Sequence, residues 1–341
     1  MNSQNEKLNK FFVYWLISSL ILIFFTLIIG GLTRLTNSGL SITEWELLKG
    51  IFPPLTQNTW EVYFQLYKEI PQYKLLNYNM SLNEFKIIFF WEYLHRIIAR
   101  IIGLFFLIPL LFFHFTKKIN QKYLYSCNII FMLILLQGLI GWYMVKSGLV
   151  NNITVSHFRL SLHLITAFII ISIIFWTILN IKNKKFKFFF NITKKNVPFL
   201  ILISLIFLQV IFGAFVSGLD AGQIYQTWPY MNNTYFPEDT SIKKFVDYLD
   251  FNNPSLVQFY HRNLAYLITI YVLILSYYIY KNKIFNSYKP LSLLILIIIL
   301  QIILGVLTLL SGLNIYLASA HQICSVLLVF SAINLYYFNV K

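Results

Sequence analysis

Along the 341-residue chain, apolar residues gather into eight runs near 12–33, 94–115, 123–146, 155–181, 197–218, 258–280, 290–312 and 315–339. A helix needs about 20 such residues to cross the hydrocarbon of a bilayer. The pattern therefore predicts an all-α polytopic membrane protein with eight transmembrane helices. Polar interruptions alternate between short lysine-rich ones and two long ones, 34–93 and 219–257. Within the first long one, "SLNEFKIIFFWEYL" sets Leu82, Phe85, Ile88 and Phe89 at helical spacing. That spacing predicts an amphipathic helix lying in the membrane interface, ahead of the second span.

The same pattern is written twice. "WEYLHRIIARIIG" (91–103) answers to "VQFYHRNLAYLIT" (257–269), and "LLQGLIGWYMVKSGL" (135–149) to "ILQIILGVLTLLSGL" (299–313). "IIGGLTRLTNSGL" at the end of the first span answers to "VIFGAFVSGLDAG" at the end of the fifth. Four spans per repeat is an even number, so both halves face the same way, unlike an inverted repeat. The predicted organisation is two parallel-related four-helix bundles, 1–187 and 188–341, whose axis of relation runs along the membrane normal.

Composition agrees: 58% of residues are hydrophobic and 11% are charged, which excludes a soluble globular class. A net charge of +15 would suit nucleic acid, so the placement of the basic residues decides. Lys7, Lys10, Lys117, Lys118, Lys122, Lys182, Lys184, Lys185, Lys187, Lys194, Lys195, Lys281, Lys283, Lys289 and Lys341 share one side of the alternating topology, and every acidic residue except Glu6 lies on the other. This is the positive-inside pattern. It predicts cytoplasmic termini, makes the lysines topology signals and removes nucleic acid as a partner. The first apolar run is too long for a cleaved signal peptide and lacks an A-x-A site, so it is read as a retained span. Cys127 and Cys324 sit inside apolar spans toward opposite faces and are read as core-filling thiols.

Against this background the ionisable residues stand out, because at membrane depth they are costly unless paired or used. His114 falls among lysines at a cytoplasmic helix end. His95, His157, His163, His261 and His321 lie in the outer thirds of the even-numbered spans. Neutral imidazoles on facing helices at one depth form an axial pair for haem iron, whereas zinc would need three or four clustered ligands. Two haem sites are expected, one per half: His95 with His163, and His261 with His321. His157 competes with His163. Counting without gaps from Gln137 and Gln301 pairs His157 with His321, while depth in the helix favours His163.

Arg34, Arg96, Arg100, Arg159 and Arg262 lie near the outer interface, where guanidinium groups either reach headgroups or pair with propionates. Arg96 and Arg262, next to proposed ligands, are the candidate cofactor-binding arginines. Glu92 shares a helix face with His95 and Arg96, and its counterpart in the second half is Gln258. It reads either as the structural partner of Arg96 or as a catalytic carboxylate confined to the first half.

With these residues in hand, the chain resembles the haem A synthase family, in its mitochondrial and alphaproteobacterial branch. The resemblance is carried by "GGLTRLTNSGLSITEW", "EFKIIFFWEYLHR", "RLSLH", "GAFVSGLDAG", "TWPYM" and "ASAHQ". It implies a bacterial inner-membrane enzyme that oxidises the C8 methyl group of haem O by successive hydroxylations to the formyl group of haem A, for cytochrome oxidase. It further implies a substrate haem O site in 1–187 bracketed by His95 and His163, with Glu92 catalytic. A haem b in 188–341 would be held by His261 and His321, with the haem sites toward the periplasmic side. Candidate partners are haem O, haem A, membrane lipid, a haem O synthase, a redox partner and a second copy of the chain. The rival reading is a di-haem b-type electron-transfer cytochrome that oxidises a quinol, which accounts for four histidines but not for Glu92 against Gln258.

Overall fold

A computed structural model describes residues 3–45, 49–149 and 153–340. Ten α-helices are present among them: α1 Ser3–Leu35, α2 Gln57–Lys68, α3 Pro71–Leu75, α4 Leu82–Thr116, α5 Gln121–Lys146, α6 His157–Lys182, α7 Val197–Gly218, α8 Pro254–Lys281, α9 Tyr288–Leu310 and α10 Ile315–Asn339. Eight of these, all but α2 and α3, are long and apolar enough to span a membrane. They keep large apolar side chains outward, among them Leu104, Met132, Leu273 and Leu296, each more than 60% exposed. Such a surface would be a liability in water and suits lipid. The chain is a multi-pass membrane protein, and it divides into two compact units, Met1–Ile178 and Leu179–Lys341.

In the first unit α1 packs antiparallel on α4. The indole of Trp15 donates to the Phe105 carbonyl at 3.1 Å near one end, and the Thr33 hydroxyl approaches the Trp91 carbonyl at 3.4 Å near the other. Phe12, Trp15, Phe106 and Phe113, all buried, interlock at the first of these ends. In the second unit α7 packs on α8 and α10, and α9 packs on α10.

One expectation is corrected. The amphipathic stretch 81–94 is not a separate interfacial helix but the first part of α4, which runs unbroken for 35 residues. Its start is set by a capping box: Ser81 Oγ accepts from the Glu84 amide, and Glu84 accepts from the Ser81 amide at 2.7 Å. Phe85 and Phe89 are buried not in lipid but against Leu40, Ile42, Phe64, Tyr67 and Ile70. The first long loop is thus a small folded layer, α2 and α3, built on the side of α4. At its centre Tyr67 is fully buried; its hydroxyl donates to Gln72 at 2.9 Å and accepts from Asn77 at 2.7 Å, and burial pushes its pKa up to about 12.

Candidate functional site

Each even-numbered span brings one histidine against a glycine of the span before it. A Cβ added to Gly30 would lie 2.9 Å from the His95 ring, to Gly141 3.1 Å from His163, to Gly213 3.3 Å from His261, and to Gly305 2.9 Å from His321. Contacts that short are repulsive, so each glycine is a recess that admits an imidazole edge to the helix backbone. Four residues before the glycine, a side chain faces the same histidine in three of the four cases. Gln137 donates to the His163 carbonyl at 2.9 Å and approaches its Nε2 at 3.4 Å; Gln209 does the same to His261, at 3.0 and 3.4 Å. Gln301 approaches Nε2 of His321 at 3.4 Å, and its backbone carbonyl accepts from Nδ1 at 3.1 Å. The fourth position holds Thr26, whose hydroxyl bonds the Leu22 carbonyl of its own helix at 2.8 Å.

In the first unit the rings of His95 and His163 lie with centroids 6.4 Å apart and planes inclined by 69°. Two imidazoles on opposite sides of one metal, each with a nitrogen–metal bond of about 2 Å and about 1.1 Å from nitrogen to ring centre, would be separated by about 6.2 Å. The observed separation is close to that value. Nδ1 of His163 and of His261 is buried with no hydrogen-bond partner, a cost that structures rarely carry without a use. Among the described residues no three of His, Cys, Asp and Glu converge. His157 starts α6, is buried, and lies tilted against Phe158 with centroids 4.1 Å apart. His114 is bonded to Asn128 at the far end of α4.

The charged residues beside the histidines turn out to hold loops. Glu92 accepts from Ser41 Oγ at 2.7 Å and the Ile42 amide at 2.9 Å through one oxygen, and from Arg96 at 2.5 Å through the other. Arg96 also donates to the Ile42 carbonyl at 3.0 Å and lies over the Trp45 ring. In the second unit Gln258 donates to the Tyr225 carbonyl at 2.9 Å, and Arg262 donates to the carbonyls of Tyr225 and Thr227, both at 2.8 Å. Ile42 stands as far beyond Gly30 as Tyr225 stands beyond Gly213, so the two grips are equivalent in the repeat. Neither Ser41, Ile42 and Tyr225 nor the glutamines and glycines were singled out by sequence reasoning as site residues. Their signal was present in "TLIIG" (26–30), "QGLIG" (137–141), "QVIFG" (209–213) and "QIILG" (301–305), one copy in each odd-numbered span. Arg159 is spent on the Tyr143 carbonyl and ring. Arg100 joins Glu44, Tyr93 and Arg96 along a cleft beneath the first loop.

These features define a class: a helical membrane protein in which successive helix pairs each present one glycine-seated imidazole. The chain belongs to the cytochrome oxidase assembly protein family, COX15-CtaA, which it matches over residues 13–333. It is similar to the haem A synthase of Pelagibacter ubique, 48% identical over 97% of both chains. It is also similar to those of Flavobacterium psychrophilum, 40% identical over 95% of this chain and 96% of the relative, and of Wolbachia pipientis wMel, 41% identical over 94% and 90%.

Proposed function

We propose that this protein is a haem A synthase, oxidising the C8 methyl group of haem O to the formyl group of haem A. The carrying observation is the pair His95 and His163, with ring centroids 6.4 Å apart, in a chain of this family. In this reading the first half, 1–187, takes haem O between His95 and His163. The second half, 188–341, holds haem b between His261 and His321. A bound haem b supplies one-electron redox chemistry. Arg96 and Arg262 each retain guanidinium donors beyond those committed to Glu92 and the loop carbonyls, because the fork carries five; the spare donors are available to propionates.

Glu92 is the residue proposed to act on the substrate. Three donors occupy it, and a carboxylate offers about four acceptor sites, which leaves one for a proton or for developing positive charge at the reacting methyl carbon. Gln258 has no charge to contribute. The lysine distribution supports cytoplasmic termini in a bacterial inner membrane, with the histidine-bearing ends toward the periplasm.

Identification of each pigment by mass in the purified protein tests the assignment. Haem b together with haem O or haem A is expected, and His261→Ala or His321→Ala should remove haem b while His157→Ala leaves it in place. Two haems of type b and no trace of haem O or haem A would instead select the quinol-oxidising cytochrome.

A further inference from the structure

The four helix pairs share the glycine seat and differ in what stands one turn before it. Three histidines, His163, His261 and His321, meet a glutamine amide one turn before their glycine; His95 meets Thr26, whose hydroxyl is turned back onto Leu22. An amide donating toward Nε2 leaves the ring proton on Nδ1, the tautomer whose Nε2 can take iron once the amide yields; a backbone carbonyl, of Gln301 for His321 and of Thr26 for His95, favours the same choice. For His163 and His261 the same amide also ties the histidine's backbone carbonyl to the neighbouring helix. At 3.4 Å the amide's contact with Nε2 is long enough to yield to a metal, while the tie to the backbone is not displaced.

A catalyst that modifies one haem and keeps another needs one exchangeable site and one permanent site. Both histidines of the second unit carry the glutamine. In the first unit only one of the two does. We propose that Thr26 makes His95 the exchangeable iron ligand, so that the substrate haem is admitted and released on the His95 side while His163 stays anchored. Thr26 is a positioning residue in this account: it acts through His95 and touches no reacting atom. The proposal rests on the assignment of haem O to the His95 and His163 pair.

The test uses the full-length protein in lipid nanodiscs, loaded with haem O and then mixed with a haem-scavenging apoprotein. The loss of haem O and of haem b is followed separately by absorbance and mass. One hydrogen bond gained or lost corresponds to about 2- to 10-fold in an equilibrium constant. Thr26→Gln should therefore slow haem O loss by about that factor and raise the low-spin fraction of the first site, with haem b loss unchanged. The reciprocal variant Gln209→Thr should speed haem b loss by a similar factor. Haem b content reports folding of Thr26→Gln, and Gln209→Thr tests the same rule without it. Unchanged haem O loss in a haem b-replete Thr26→Gln protein, or unchanged haem b loss in Gln209→Thr, overturns the inference. Failure of the wild-type protein to take up haem O in a His95-dependent manner overturns the functional assignment itself.

Discussion

At position 92 a carboxylate accepts from Ser41, Ile42 and Arg96, whereas at position 258 a carboxamide donates to Tyr225. Both side chains hold the loop that follows the preceding span, so holding the loop does not require a charge. The side chains of Glu92 and Arg96 are only 4% and 11% exposed, so theirs is not a surface ion pair of small value. Glu92→Gln preserves volume and an acceptor for Ser41 and Ile42, and removes the charge. If the carboxylate acts on the substrate, that variant should keep haem b and lose haem A formation by about 10²- to 10⁴-fold, the usual worth of acid or base assistance. Haem composition of membranes expressing it is the measurement. Near-normal haem A with normal haem b would leave Glu92 as a loop anchor only.

At the scale of the element, the unit that recurs is a pair of helices, one offering glycine and the next histidine. Gly305 is the sharpest case in the second unit, since a Cβ there would meet the His321 ring at 2.9 Å. Gly305→Ala should displace that imidazole and lower haem b occupancy or convert it from low to high spin, as read by absorption and electron paramagnetic resonance. Retention of a wild-type low-spin spectrum would show that the ring has room to give. Sequence reasoning read the eight spans because a run of about 20 apolar residues has few other uses. It found the histidines because charge-capable groups are conspicuous among hydrocarbon. It missed the glycines and glutamines because Gln-x-x-x-Gly inside an apolar helix looks like ordinary close packing. It also divided α4, since Glu84 and Lys86 lower the local hydropathy; the capping box of Ser81 and Glu84 was the legible sign that a helix begins there and continues into the span.

For the whole molecule, the eight spans and the lysine distribution together fix an expected topology. A reporter active only outside the cytoplasm should work when fused after Asn58 or Asn233 and fail after Lys185. The opposite pattern would place every histidine-bearing end on the cytoplasmic side and void the proposed site orientation. Topology also bears on α4. At about 1.5 Å per residue its 35 residues extend about 52 Å, well past a hydrocarbon core of about 30 Å. The part that overhangs carries α2 and α3, and farther along the same rod sits His95. The proline of α4, Pro109, where the ladder of backbone bonds is interrupted, lies on the far side of His95 from that layer. Mechanically the first loop layer and His95 are then two points on one beam with its weak spot below both. The layer and the imidazole thus share the stretch of α4 that precedes Pro109.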